Sequence, residues 1–442
     1  MRQRITPQQL SYALSQQDFD QSIESLNSSI ADLDQLKPSW LQFCREKSQL
    51  ARESFSFLFR QWVRLHRNGY PATDQDYLRL VEREMFELKQ VYIALFNLHP
   101  GLVYEQKDLS PELFIWLMLE LEFSHQLHHL HSALNLVQDI DEEIAMLMFL
   151  KAKAANLDLI VAQSIEGGVV VKHWCFDLLK RRQTLSIGLT KHWLKNKSLD
   201  EPQVHSTLAK FDVEESIEWI STQENDENYL FELLLCKHDR GTWFRKRFGT
   251  DESALTSDKV MTYAKLLELR EFRQFTPSNK MAPIQLALSS QPSWLEVALE
   301  YFTTLGDDDE NEGEEWLFAL YIVYGEKFPL KPHELGIEYD WNEAKEVVQS
   351  WCEEDKHYTS NPMRLGEVLS YQSTLRAMQH PCVPERYRVW LWRQVCMHGR
   401  VYMPWHWAMP SYQQDWLFDK LKQQTAASER FNLRNQNATV GY

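Results

Sequence analysis

The sequence predicts an all-α protein in which an N-terminal long-helix bundle is followed by stacked helical hairpins, HEAT-like or an irregular α-solenoid. Glycine is scarce, 14 in 442 residues, against a usual share of about 7%, so the tight turns of hairpin-rich sheet have few residues to build them. Apolar residues recur at three- and four-residue steps along most of the chain, the pattern of one side of a helix. Proline-bearing turns then cut these segments into pieces of about one helix each.

Thr6-Pro7 is a cap-and-proline helix start. Phe19, Ile23, Leu26, Ile30 and Leu33 follow at alternating steps of four and three, a heptad seam that can pair within the chain or carry a homo-oligomer. The seam is shorter than the three or four heptads that sustain a coiled coil, which favours packing within the chain. Pro38-Ser39 restarts an amphipathic segment carrying Trp40, Phe43, Phe55, Leu58, Phe59, Trp62 and Leu65, ended by Asn68-Gly69-Tyr70-Pro71. Thr73 or Asp74 caps the next helix, through Leu78, Val81, Met85, Leu88, Val91 and Leu95. His99-Pro100-Gly101 closes it, and Ser110-Pro111-Glu112 opens another. Residues 1–166 are therefore expected to form the bundle.

Gly167-Gly168 before Val169-Val170-Val171 reads as a boundary or hinge. Shorter helices are expected over 167–280, hairpins over 281–424, and a flexible tail rich in Gln, Asn, Ser and Thr over 425–442. The hairpin unit is clearest between Met363 and Gly399. Leu365, Val368, Leu369, Leu375 and Met378 mark one helical stripe that stops at His380-Pro381, since a proline disfavours the α conformation in the residue before it. Pro384 opens the second helix, with Tyr387, Leu391 and Val395 on its stripe and Gly399 as its stop. Two helices with one apolar face each need neighbours to bury them.

The net charge of −16 repels phosphate backbones and anionic lipid, so no nucleic-acid partner is expected and protein partners are favoured. The longest apolar run, Leu113 to Phe123, is broken by Glu120 and Glu122 and is too short to span a bilayer. No membrane insertion is expected. Met1-Arg2-Gln3-Arg4 leads into polar sequence without the apolar core of a secretory signal. The six cysteines, Cys44, Cys175, Cys236, Cys352, Cys382 and Cys396, are scattered, as reduced thiols of a cytoplasmic protein are. P-loop, Gly-x-Gly-x-x-Gly, Gly-x-Ser-x-Gly and His-Glu-x-x-His patterns are missing, so neither an enzyme nor a cofactor is expected.

Several clusters carry possible chemistry. Glu122, His125 and His129 fall on one helical face, and Glu-x-x-His is half of the motif used by di-iron bundles. With His128 and His131 nearby, a histidine-rich helix surface explains the same residues, and the metal reading, a helical-bundle enzyme, is the alternative. Cys/His pairs two residues apart (His173 with Cys175, Cys236 with His238, His380 with Cys382, Cys396 with His398) point to opposite sides of a helix, apart from the pair in the turn at His380. Gly306 to Glu315 resembles a calcium loop but has Phe318 where the bidentate glutamate belongs, and reads as a solvated acidic loop. Basic residues gather at Lys180-Arg181-Arg182 and at Arg240 with Arg245-Lys246-Arg247. Arg388, Trp390, Trp392, Arg393, Trp405 and Trp407 concentrate the residue types of interface hot spots, and are the candidate partner-binding residues. Core packing of a tryptophan-rich stack explains the same residues and is the favoured account of the cluster.

The run from Leu365 through Gly366-Glu367-Val368-Leu369-Ser370-Tyr371-Gln372-Ser373-Thr374-Leu375-Arg376 to Ala377, followed by His380-Pro381 and Pro384, resembles the C-terminal part of the HEAT-repeat-like accessory proteins of bacterial type VI secretion systems. The resemblance covers the last quarter of the chain and implies a cytoplasmic helical accessory or scaffold protein with no chemistry to transfer. The expected function is a non-enzymatic adaptor that binds proteins.

Overall fold

The structure, a computed structural model, describes residues 3–10, 12–67, 75–121, 127–154, 156–168, 171–199, 201–223, 229–250, 257–335, 338–353, 361–406, 409 and 411–440. It is all-α. Two compact units divide it, the first running to Phe211 and taking in Met409 and Ser411, the second beginning at Asp212. The first unit holds α1 (Gln16–Ala31), α2 (Pro38–Arg67), α3 (Gln75–Leu98), α4 (Gly101–Tyr104), α5 (Gln106–Leu109), α6 (Pro111–Glu120), α7 (Leu127–Asn135), α8 (Glu142–Lys151), α9 (Leu157–Gly167), α10 (Lys172–Arg181), α11 (Ile187–Lys195) and α12 (Glu201–Ala209). The second holds α13 (Glu214–Ser221), α14 (Leu230–Cys236), α15 (Arg240–Phe248), α16 (Asp258–Leu266), α17 (Ala282–Ser289), α18 (Pro292–Thr303), α19 (Glu310–Tyr324), α20 (Trp341–Glu353), β1 (Met363–Arg364), β2 (Glu367–Val368), α21 (Tyr371–Gln379), α22 (Glu385–Gly399), α23 (Ser411–Lys422) and α24 (Thr425–Val440). No helix is long and apolar enough to cross a membrane among the described residues.

In the first unit α2 and α3 pair along their length, and α6 lies inside. Every residue of α6 from Leu113 to Leu119 is buried, as expected of a helix that is apolar on all sides. Thr6-Pro7 starts only a 3₁₀ turn over Pro7–Gln9. The cap of α1 is Ser15, whose N–H donates to the Asp18 carboxylate at 2.7 Å in a reciprocal capping box. Phe19, Leu26 and Leu33 of the heptad seam are buried and Ile23 and Ile30 half-buried, with α1 packed on α4 and α7. The seam is therefore satisfied inside the chain and is not available to a second copy.

Gly167 and Gly168 do not separate the two units, because α9 and α10 pack on each other within the first. Gly168 is the left-handed residue that ends α9, with φ +72°. Val169 and Val170 lie outside the described residues.

The second unit differs from the expected pattern in three places. Glu310–Glu315 of the acidic stretch is the first part of α19, where carboxylates complement the helix N-terminus. Leu365, Val368 and Leu369 are not helical. Met363–Arg364 pairs antiparallel with Glu367–Val368 across a two-residue turn in which Leu365 has φ +50° and Gly366 φ +74°. The turn N–H groups of Leu365 and Gly366 donate to the carbonyls of Ile322 and Val323, both at 2.8 Å, in the last turn of α19, and α21 starts only after its cap Ser370. The expected flexible tail is instead α24, where Ala427, Phe431 and Asn435 form a buried stripe at four-residue steps against α22 and α21.

A chain of many short helices has many terminal carbonyls to satisfy. Here arginines do much of it, with Arg364, Arg388, Arg240 and Arg182 buried, Arg434 half-buried and Arg430 exposed. Arg364 donates from Nη2 to the Ala287 and Leu288 carbonyls at 2.7 and 3.0 Å, closing α17. Arg388 reaches the His380 carbonyl at 2.7 Å behind α21, and Arg430 the Gly399 carbonyl of α22 at 2.9 Å. Arg434 takes the Leu267 carbonyl behind α16 at 2.7 Å. Arg240 bridges the Met397 carbonyl of α22 and the Leu235 carbonyl of α14. In the first unit Arg182 does the same for α8.

Candidate functional site

Of the candidate partner-binding residues, Arg388, Trp390, Trp392 and Trp405 are core. Trp390 packs on Tyr263 with ring centroids 4.9 Å apart. Trp392 lies 6.2 Å from Trp405, whose indole N–H donates to Gln414 at 3.0 Å. Arg393 is half-buried, its guanidinium 4.5 Å from the Trp390 ring centroid, and Trp407 lies outside the described residues. The cause is the setting of α22, which packs on α14, α17, α21 and α24 and so buries aromatics on all sides. Arg388, Trp390, Trp392 and Trp405 are therefore core rather than the exposed interface that their composition suggests.

Glu122 and His125 lie outside the described residues. His129 is buried rather than on a histidine-rich surface, with Tyr104 Oη 2.7 Å from its Nε2. Burial, with His128 beside it, pushes its pKa from 6.5 down to about 3. Among the described residues no group of three His, Cys, Asp or Glu side chains is placed to hold a metal ion. The ring is neutral in the folded chain at neutral pH, whereas the unfolded chain protonates it below the ordinary value of 6.5. Stability contributed by the neutral ring is present above that value and is lost as pH falls from 6.5 toward about 3. His66, held down to about 4 chiefly by burial, acts in the same direction. The urea midpoint is therefore expected to fall between pH 7 and pH 5, and His129→Gln to flatten that slope. An unchanged slope in the variant would exclude His129 as a source of the effect.

The local basic residues are used internally. Lys180 and Arg181 pair with Asp177 at 2.5 and 4.0 Å, and Arg245 pairs with Glu271.

One surface with an unsatisfied apolar pattern is the outward side of α2. Its inward stripe, including Cys44, Ser48, Ala51, Phe55, Phe59 and Trp62, is buried. Phe43, Leu50 and Phe57 form a second line at intervals of seven and remain 56%, 58% and 54% exposed. Seven residues are nearly two helical turns, so the three side chains stand one above another. Lys47 sits over the Phe43 ring, 5.4 Å from its centroid. Glu53 accepts a hydrogen bond from Gln49 at 3.0 Å. Composition alone hides this line among the aromatics of the segment. Plotting α2 as a helix with two apolar stripes reveals it, because the buried stripe already accounts for the core-facing positions.

Comparison with protein-family models, with curated proteins and with solved structures gives no match to this chain.

Proposed function

We propose that the chain is a non-enzymatic helical scaffold that acts in the cytoplasm through protein–protein contacts, and that the outward side of α2 docks on the same side of a second copy. The observation that carries the reading is the exposed line Phe43, Leu50 and Phe57 on a helix whose opposite stripe is already buried. The sequence around it is matched to its own reverse. Antiparallel pairing about a two-fold axis at Leu50 sets Phe43 against Phe57 of the second copy. Apolar residues meet apolar ones, the self-complementarity that an isologous interface needs. The resemblance of the C-terminal quarter to accessory proteins of type VI secretion systems supports the scaffold class, with assembly of such a machine as its setting.

Sedimentation of the full chain is expected to give a concentration-dependent mass rising toward twice the 52.5 kDa of one chain. Phe57→Ala is expected to weaken association about tenfold. Leu50→Asp is expected to leave a monomer of unchanged helix content. A wild-type chain that stays monomeric at the highest attainable concentration, or association that Leu50→Asp leaves unchanged, overturns the proposed pairing.

A further inference from the structure

The second unit encloses a cavity of about 260 Å³ between α16, α17, α18, α22 and α24, just under the roughly 300–1,000 Å³ of typical ligand sites. Its walls are mainly apolar, with Leu266, Phe272, Leu288 and Trp294 among them. Trp294 is fixed by stacking on Phe275 at 4.8 Å and 13°.

The polar groups at the cavity are nearly all committed. Gln394 donates from Nε2 to the Leu288 carbonyl at 2.9 Å. His398 lies with Nε2 2.8 Å from the Leu266 carbonyl, so that nitrogen carries the proton, and Nδ1 accepts from Asn435 at 3.4 Å. Gln285 is not fully committed. The Thr262 hydroxyl donates its one proton to the Asp258 carbonyl at 2.7 Å, so it can only accept from Gln285, which faces it with Nε2 at 3.1 Å. That fixes the amide orientation and leaves Gln285 Oε1, on a side chain 2% exposed, without a partner among the described residues. A buried acceptor left open is costly, and one lining a cavity is satisfied by a donor that enters it.

The charge around the cavity is positive. Glu268, its one acid, is engaged by Arg434 at 3.3 Å. Arg273, half-buried at the lining, makes no hydrogen bond to a described residue. Arg364 is fully buried beside Gln394, with Nη2 3.5 Å from Gln394 Oε1 and with Nε and Nη1 without a partner among the described residues. Burial and then the fields of Arg434, Arg240 and Arg364 hold His398 well below its ordinary pKa, despite the bond to the Leu266 carbonyl.

We infer that this cavity binds a small apolar monoanion carrying a hydrogen-bond donor, with the donor on Gln285 Oε1, the apolar body against Trp294 and Phe272, and the anionic group on Arg273. The inference is independent of the α2 interface, which lies in the other unit.

Three matched probes test it on the full chain by calorimetric titration. They are 4-hydroxyphenylacetate, phenylacetate, which lacks the donor, and 4-hydroxyphenylethanol, which lacks the charge. The hydroxy acid is expected to bind saturably, and each of the other two about tenfold more weakly. Gln285→Leu is expected to erase the preference for the hydroxyl. Arg273→Gln, at a half-buried position, is expected to erase the preference for the acid over the alcohol. Lack of saturable binding by all three probes overturns the inference, as does binding that Arg273→Gln and Gln285→Leu both leave unchanged.

Discussion

Replacing Arg182 by alanine is expected to lower stability by about 3–5 kcal/mol, the range for removing one partner of a buried ion pair. Arg182 is 1% exposed and follows α10. One edge of its guanidinium, through Nε and Nη2, meets the Asp158 carboxylate, with Nη2 3.1 Å from Oδ2. Nη1 donates to the Phe149 and Ala152 carbonyls at 2.5 and 3.0 Å, where α8 ends. The alanine variant leaves a carboxylate and terminal carbonyls without donors in an apolar setting, which is where the cost arises. Arg182→Lys is expected to recover little, since an ammonium cannot reproduce the planar fork. Arg182→Met combined with Asp158→Asn is expected to recover a measurable part, because no uncompensated charge remains. Urea denaturation of the four proteins, followed by far-UV circular dichroism, gives the comparison. Equal midpoints for the single alanine variant and the wild type would mean that α8 is closed by other means.

Gly167→Ala is expected to detach the N-terminal segment from the first unit. A Cβ at this position would lie 1.5 Å from the Leu14 carbonyl oxygen and 2.6 Å from its carbon, both backbone atoms. Such atoms cannot swing aside as a side-chain end can. Relief requires the segment to move as a whole, which breaks the Leu14 N–H bond to the Gln163 carbonyl at 3.1 Å and strains the Ile5 N–H bond to Thr184 at 2.8 Å. Overpacking of this kind typically costs about 1–3 kcal/mol, here concentrated on one segment. Hydrogen exchange at Ile5 and Leu14 is expected to rise sharply in the variant while α6 stays protected. The neighbouring Gly168→Ala is the control. Its strain comes from φ +72° rather than from a clash, since its Cβ would meet only the end of Lys172 at 3.4 Å, so it is expected to cost about 1 kcal/mol without selective exposure of the segment.

The two glycines show what sequence reading can and cannot reach. A Gly-Gly pair at the end of an apolar stripe marks a helix stop, and α9 does stop there. Its use as a landing place for Leu14 depends on a segment far away in the chain. Leu365, Val368 and Leu369 carry helical spacing yet lie in and beside a two-stranded turn. The turn is held by the free carbonyls of α19, a partner that local periodicity does not contain. The tryptophans of α22 have the composition of an interface and the position of a core, since burial is a property of neighbours. Gln285 and Arg273 carry no motif. Only the enclosing helices turn them into a candidate site, whereas Phe43, Leu50 and Phe57 were readable in principle as a second stripe at heptad spacing.

The sequence by itself determined the helical class and some of the places where helices begin and end, among them Pro38, Ser110-Pro111, His380 and Pro384. Scarce glycine, apolar steps of three and four, and starts such as Ser110-Pro111 act over a few residues and need no distant partner. Only the tertiary structure decided which apolar stripe of α2 faces inward, where the terminal carbonyls of the short helices find donors, and which polar groups are left open. Both stripes of α2 obey the same periodicity, and a buried arginine reads like any other until the helix end it closes has been folded against it.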